Sequence, residues 1–342
     1  MRAIEMCAGA GGQAIGLHEA GIVHDVLIEI DGHAHRTLEH NCDLHNLQWG
    51  EIIHGDLREF AAHDARRYRG QIDLVAGGVP CPPFSKAGRQ LGADDERDLF
   101  PTAIEIVRQV QPLMVMLENV PGLAEAKFDD YRNQISQELL ELGYQSDWQV
   151  LQASSFGVPQ LRPRMIMVAI EQQYFHLFEW PDAHDVPAPT VGEALFHMMA
   201  ANGWEGAQAW AEGANSIAPT LVGGSKKHGG PDLGPTRAKR QWQALGVNGH
   251  RVGNLDEVPE PGFQGVTMRD GTIREGTENM PLLNVPMAAT IQGFPAHWEF
   301  IGSKTHAYRQ VGNAFPPPVA QAIGEQLMQV FDQIQQLEQG TA

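Results

Sequence analysis

The opening of the chain constrains its fold more than any other feature. Residues 2–6 read as a first strand that leads into Cys7-Ala8-Gly9-Ala10-Gly11-Gly12, and an amphipathic stretch follows at 13–20. A strand that runs into clustered glycines and emerges as a helix is the first half of a βαβ unit. Glycine lets the backbone turn tightly there and leaves no Cβ in the way of a ligand. The alternation then repeats, with strands expected at 26–30, 52–54, 74–76, 113–117, around 150, and at 165–170. Helices are expected at 33–41, 102–109 and 131–142. This pattern predicts an α/β fold with a mostly parallel sheet. After Trp180 the texture changes to Gly-, Pro- and Asn-rich sequence with turn signals such as Asn202-Gly203, Asn248-Gly249 and Asp270-Gly271. Residues 181–304 are therefore expected to form a smaller, loop-rich domain and hinge, with 1–180 and 305–342 forming the first domain. Pro316-Pro317-Pro318 starts a closing helix whose apolar residues recur at helical spacing through Leu337.

Open parallel sheets bind ligands at the carboxyl edge of their strands, so residues at strand ends are the candidates for chemistry. Glu29 closes the second strand, where an acid accepts hydrogen bonds from ribose hydroxyls. Asp56 follows the third, where an acid meets an adenine amino group. Each alone is equally readable as a surface carboxylate. The glycine spacing is not that of a dinucleotide fingerprint, which leaves S-adenosylmethionine and NAD both open. Cys81 follows the fourth strand between Pro80 and Pro82, held as a nucleophile would be, although most free cysteines are small buried hydrophobes. Glu118-Asn119-Val120 ends the fifth strand and places an acid able to bind a ring nitrogen and an exocyclic amine together. In Gln160-Leu161-Arg162-Pro163-Arg164, strand alternation puts both guanidinium groups on one face, suited to phosphate or a carbonyl oxygen, or to a structural ion pair. Gln310-Val311-Gly312-Asn313 reads as a Gly-Asn turn before the last helix.

Charge and cysteine content narrow the partners. Three cysteines, Cys7, Cys42 and Cys81, with no Cys-x-x-Cys pair, argue against a disulfide framework and a thiolate metal site. The 15 histidines lack a metal-ligand spacing, so no metal is expected. No apolar run is long enough to cross a bilayer and no secretory signal is seen, so the expectation is a cytoplasmic protein without membrane contact. The net charge of -18 opposes nucleic-acid binding at first sight. Residues 215–254, however, carry Lys226, Lys227, Arg237, Lys239, Arg240 and Arg251 against Asp232 alone, a local excess of +5 that leaves -23 elsewhere. That segment is either a phosphate-binding surface or a solvated loop.

Taken in order, the glycine turn, Pro-Cys, Glu-Asn-Val, Gln-x-Arg-x-Arg and Gly-Asn followed by prolines resemble the bacterial DNA cytosine-5 methyltransferase family of restriction–modification systems. The resemblance covers residues 1 to about 170 and about 283 to 324. It implies a Rossmann-like S-adenosylmethionine-dependent sheet with a smaller, loop-rich target-recognition domain. It implies that Cys81 attacks C6 of the cytosine, that Glu118 contacts N3 and the amine, and that Arg164 contacts the carbonyl. Arg162 would support the site or a phosphate, and Asn119 would brace the Pro80-Cys81 loop. S-adenosyl-L-methionine would be held by Cys7, Ala8, Gly9, Gly11, Gly12, Glu29, Ile30, Asp56, Pro80, Leu99 and Asn313. Ser85, Lys86, Arg89, Thr220, Leu221, Lys226, Lys227, Arg237 and Arg240 would face DNA, with residues 88–98 completing a mobile loop. Cys7 and Ile30 depart from the family, which has aromatic residues there, so stacking on the adenine should be weaker.

The implied partner is double-stranded DNA, with a cognate restriction endonuclease acting separately and the enzyme itself a monomer. A family member acting on tRNA, a binding protein that keeps the fold, and an NAD-dependent oxidoreductase are the rival readings. The long variable region and the intact Cys81, Glu118 and Arg164 oppose them. Neutralising Lys226, Lys227 and Arg240 together should weaken DNA binding and flatten its dependence on salt. Titration of affinity against ionic strength measures this, and an unchanged slope would place these cations away from the phosphates.

Overall fold

The computed structural model describes residues 1–80, 98–223 and 231–340. Two compact units emerge. The first comprises residues 1–151, 163–182 and 319–342, and the second comprises 152–162 and 183–318.

The first unit is a seven-stranded sheet. In chain order its elements are β1 (Arg2–Met6), α1 (Gly12–Glu19), β2 (Val23–Glu29), α2 (Gly32–Leu44), β3 (Glu51–His54), α3 (Leu57–His63), β4 (Leu74–Gly77), α4 (Phe100–Val110), β5 (Met114–Asn119), α5 (Asp129–Glu141), β6 (Tyr144–Gln152) and β7 (Pro163–Glu171). The strand order is β3-β2-β1-β4-β5-β7-β6. β1 through β5 are parallel, whereas β7 runs antiparallel to β5, pairing Glu118 with Ile166 and Asn119 with Met165. The winding direction reverses between β1 and β4, and at such a switch the loops from the two strands diverge and leave a crevice. Because β7 is antiparallel, its first residues emerge at the same edge as the ends of β1, β4 and β5.

Alternation along the strands sorts the side chains into two layers. Ile4, Met6, Val26, Ile28, Val75, Val115, Leu117, Met165 and Met167 join Phe60, Phe100, Ile104, Val107, Ile135 and Leu139 in one core. Fully burying each large apolar side chain of this kind stabilises the fold by roughly 1.5–3 kcal/mol. Asp31 caps α2 by accepting from His33 N and Ala34 N. Asp56, placed in the sequence at the adenine, caps α3 by accepting from Arg58 N at 2.8 Å. On the opposite face the long closing helix lies close to α1, where a Cβ at Gly324 would stand 2.8 Å from the Ala20 Cβ.

The second unit is more regular than its composition predicts. It holds α6 (Val191–Met199), α7 (Ala207–Gly213), α8 (Thr236–Ala244), a hairpin of β8 (Gly265–Thr267) and β9 (Ile273–Glu278), α9 (Val285–Gln292) and α10 (Lys304–Asn313), and the closing helix, α11 (Pro317–Gly340), begins at its end. These helices are short, and α8 buries only Trp242, so hydrophobic periodicity does not reveal them. Local capping does. Thr190 and Glu193 form a capping box on α6, and Asn284 caps α9 by accepting from Met287 N at 3.1 Å. The expected Gly312-Asn313 turn is also corrected, since both residues are the last turn of α10.

Gly77 sets the spacing at the switch point. An added Cβ would lie 2.5 Å from the Met6 carbonyl oxygen and 2.8 Å from the Met6 Cβ, and backbone atoms in a paired sheet cannot yield. Gly77→Ala should therefore destabilise the protein by about 1–3 kcal/mol, as overpacking does. The urea unfolding midpoint reports it, and an unchanged midpoint would mean that β1 and β4 separate at no cost.

Candidate functional site

The carboxyl edge of the first unit's sheet gathers most of the residues that strand-end position singles out. The turn after β1 runs through positive φ: Gly9 at 57° and Gly11 at 88° adopt it freely, whereas Cys7 at 53° is strained. Ala8 N donates to Ile28 O at 3.0 Å, which ties the turn to β2. Glu29 strengthens the tie. Its Oε2 accepts from Gly9 N at 2.7 Å and its Oε1 from Asp31 N at 2.7 Å. Burial pushes the Glu29 carboxyl above its usual range, and those two N–H groups pull it back. A Cβ at Gly9 would meet nothing within 4 Å, so the missing side chain leaves an open approach to the turn. Ile30 beside it is 64% exposed, an apolar surface at the mouth of that approach. An open glycine turn, a carboxylate and an exposed apolar side chain fit an adenosyl ligand with a ribose and an apolar-faced base.

The ends of β4 and β5 lie beside this turn. Two successive β5 residues face opposite ways. Glu118 Oε1 pairs with Arg164 Nε at 2.7 Å, while Asn119 Nδ2 donates to Val79 O at 2.8 Å. Arg164 Nη1 also donates to Pro163 O at 2.8 Å. Burial lowers the Arg164 pKa and the Glu118 charge raises it. The other Glu118 oxygen lies against Gly78, where an added Cβ would stand 3.0 Å away. Only a small residue fits there beside that carboxylate. Val79 and Pro80 then lead to Cys81. The chain returns at Leu99, whose N–H donates to Pro80 O at 3.1 Å.

Cys81, Ser85, Lys86, Arg89, Lys226 and Lys227 lie outside the described residues. Residue 98, expected to end the mobile loop, is instead a buried anchor. Asp98 is 6% exposed, accepts from Phe100 N at 3.0 Å and from the Tyr131 hydroxyl at 2.6 Å. An Asp just before Phe100-Pro101 is the helix-start signal that points to it.

Three further expectations change. Arg162 and Arg164 do not share a face, because β7 begins at Pro163 and alternation governs only residues within the strand. Arg162 belongs to the second unit and is 1% exposed. Its Nη1 donates to Leu221 O at 2.7 Å, and its Nη2 donates to Gly312 O at 2.8 Å and Ala314 O at 2.9 Å. Of the two roles implied for it, support of the surrounding chain is the one these contacts match. Leu221, expected to face DNA, is wholly buried, with its N–H on the Gln160 side chain at 2.7 Å. Thr220 donates its hydroxyl to Leu161 O, so residues 220 and 221 are both pinned in place. Gln160 completes the hub by donating to Gln292 Oε1 at 2.8 Å, a role that no local sequence signal announces. Asn313 lies in the second unit against Gly223, where an added Cβ would stand 2.2 Å from its Oδ1. Arg237 and Arg240 are exposed on α8.

Among the described residues no group of three His, Cys, Asp or Glu side chains comes together as a metal site, and no helix is long and apolar enough to cross a membrane.

The sequence profile described as C-5 cytosine-specific DNA methylase matches residues 1–329. The Type II methyltransferase M.NaeI of Lentzea aerocolonigenes is 49% identical over 328 residues, spanning 96% of this chain and 74% of that protein. The Type II methyltransferase M.NgoMIV of Neisseria gonorrhoeae is 46% identical over 328 residues, spanning 96% and 97%. Solved structures share the fold at lower identity. A mutant form of Spodoptera frugiperda DNMT2 gives a TM-score of 0.62 at 16% identity, covering 96% of this chain and 99% of that one. The Entamoeba histolytica methyltransferase EhMeth gives 0.60 at 11%, covering 98% of each.

Cys7 sits in the turn itself, but its thiol is pushed up to about 12, by burial first and then by the nearby Glu29 charge. Since the thiolate is the reactive form, Cys7 is inert near neutral pH. Iodoacetamide treatment of the native protein at pH 8 should leave Cys7 unmodified. Peptide mass mapping checks this, and rapid alkylation of Cys7 would show that burial does not hold its thiol protonated.

Proposed function

The chain belongs to the C-5 cytosine-specific DNA methylase family, and from that premise we propose that it methylates C5 of a cytosine turned out of a DNA duplex, through a bond between the Cys81 sulfur and C6. The observation that carries this reading is the Glu118–Arg164 pair beside the β4 end that leads into Pro80-Cys81. A carboxylate fixed by a guanidinium offers one oxygen to the cytosine amine and meets N3 through a shared proton. The guanidinium is left to address the ring carbonyl. Asn119 holds the Val79 carbonyl and so fixes the peptide that presents Cys81.

Each step then has a physical cause. Cytosine C5 is a poor nucleophile because the ring withdraws electrons. Addition of the Cys81 thiolate to C6 breaks the 5,6 double bond, while Glu118 and Arg164 offset the charge that gathers on N3 and the carbonyl. C5 becomes enamine-like and takes the methyl group. Loss of the C5 proton then restores the double bond and expels the Cys81 thiolate. S-adenosylmethionine supplies an electrophilic methyl group on a positively charged sulfur. Gly9, Gly11 and Glu29 are the residues of this chain that would hold it, with Ile30 against the base, and the resemblance adds Asn313. A base stacked inside a duplex exposes neither face of C6, so it must first be extruded, at a cost of a few kcal/mol. The two Type II relatives support placing this activity in restriction–modification.

The test uses duplex DNA carrying 5-fluorocytosine. Fluorine at C5 leaves no proton to remove, so the sequence of steps halts at the Cys81 adduct. The expected result is a protein–DNA complex that survives denaturing electrophoresis in the presence of S-adenosylmethionine. Cys81→Ala should form no adduct and transfer no methyl group while still binding S-adenosylmethionine. Turnover by that variant would overturn the assignment.

A further inference from the structure

The β8–β9 hairpin lies beyond the basic segment that charge alone singles out, yet its surface belongs with that segment. β8 and β9 pair antiparallel, Gly265 with Glu278 and Thr267 with Ile273. Between them the tip is ordered from within. Gly271 N donates to Met268 O at 3.0 Å and Met268 N to Thr272 O at 2.7 Å. Asp270 Oδ1 accepts from both Thr272 N at 3.0 Å and the Thr272 hydroxyl at 2.7 Å. Arg269 and Asp270 are thus the central residues of a locked turn, with Gly271 supplying the positive φ of 83°. The tip is exposed, and it presents an apolar side chain, Met268, at 38% exposure.

The base of the hairpin is tied to α8. The Gln243 side chain donates to Gly276 O, and Thr277 is buried, its hydroxyl on Arg274 O at 2.8 Å. This tie brings the hairpin's cations to those of α8. Arg274 and Lys239 both act on His250, whose imidazole is held below its usual pKa by burial first and then by their charges. Lys239 is neutralised by Asp232 at 2.6 Å. Arg237, Arg240, Arg269 and Arg274 have no ion-pair partner among the described residues, and all four are exposed. The local acids are otherwise placed. Asp270 is engaged by Thr272, Glu278 accepts from Gly276 N at 3.1 Å, and Glu275 forms no ion pair with these arginines among the described residues.

We propose that the β8–β9 hairpin is a sequence-reading element that enters the major groove of duplex DNA, with Arg269 and Met268 at the bases and Arg240 and Arg274 on the flanking phosphates. The inference rests on the reading of this chain as an enzyme acting on duplex DNA. A two-stranded ribbon fits a major groove about 12 Å wide. Arginine recognises guanine O6 and N7 through two parallel hydrogen bonds, and an apolar side chain meets the thymine methyl. A tip fixed by its own hydrogen bonds loses little conformational freedom on binding. The acidic remainder of the chain repels phosphate, so an exposed cationic surface is where a polyanion is attracted.

The experiment presents a pool of randomised duplexes and S-adenosylmethionine to the wild type, Arg269→Ala, Arg240→Ala and Arg274→Ala, and maps methylated cytosines by sequencing. All three side chains are exposed, and matching thermal melts confirm that the variants fold. Arg269→Ala should relax the preference at one base position by about tenfold or more. Arg240→Ala and Arg274→Ala should weaken binding alike across sequences and each reduce the salt slope by about 1. The proposal is overturned if Arg269→Ala keeps the wild-type sequence profile, or if it weakens every sequence equally, which would make it a phosphate contact. Wild-type enzyme that methylates no duplex in the pool would overturn the function itself, a result distinct from wild-type activity with an unmoved profile.

Discussion

At the end of β5, two adjacent side chains leave the strand on opposite sides and lock different partners. Glu118 takes Arg164 from the antiparallel β7, and Asn119 takes the carbonyl of Val79 after β4. Three strands are thereby fixed relative to one another at the carboxyl edge of the parallel strands. The ion pair is a poor source of stability, since Glu118 and Arg164 side chains are 14% and 10% exposed and both lose hydration. Removing either partner would leave the other as a buried charge, which costs about 3–5 kcal/mol. Such a pair persists for what it positions. It holds a carboxylate in one orientation, and Gly78 supplies the space that a side chain would take from it.

The second unit has its own buried centre, built on a different principle. Arg162 is almost wholly buried and donates to three backbone carbonyls, at Leu221, Gly312 and Ala314. Carbonyls left unpaired in such a place cost about 1–3 kcal/mol each, so one planar guanidinium satisfies what no smaller side chain reaches. Gln160 adds the Leu221 N–H and the Gln292 amide. Close backbone packing results from the same gathering of chain segments. A Cβ at Gly312 would fall 2.5 Å from Gly223 N, so glycine is required where the 220–223 segment crosses α10. Segments separated by 150 positions in sequence are thus joined through the Arg162 guanidinium.

The legible part of the fold is the part governed by local rules. The βαβ rhythm, the glycine turn and the strand-end acids follow from periodicity and from the carboxyl-edge rule, and the structure puts Glu29, Glu118 and Arg164 at one edge. The illegible part depends on partners distant in sequence. Alternation places Arg162 and Arg164 on one face because nothing in Gln160–Arg164 reveals that Pro163 begins the strand and that Arg162 turns to carbonyls far along the chain. Leu221 is expected at DNA only through the family resemblance, and its backbone is instead held by the side chains of Gln160 and Arg162. Short helices such as α7 and α8 bury too few residues to impose a period. Asp98 is legible in principle, as an acid placed to accept from Phe100 N ahead of α4, but the expectation of a loop over 88–98 hides it.

These differences share a cause that bears on how such an enzyme varies. The chemistry requires a few groups at fixed separations, and β-sheet register supplies them with little dependence on the surrounding surface. Selecting a target requires side chains that can change without disturbing that register, and exposed cations on short helices and a hairpin meet the condition. Arg237, Arg240, Arg269 and Arg274 are exposed and no ion pair among the described residues consumes them. Arg162, by contrast, serves the fold through all three of its carbonyl partners and cannot vary with a target. Two arginines of the same charge thus have opposite freedoms, and burial, which the sequence does not print, decides between them.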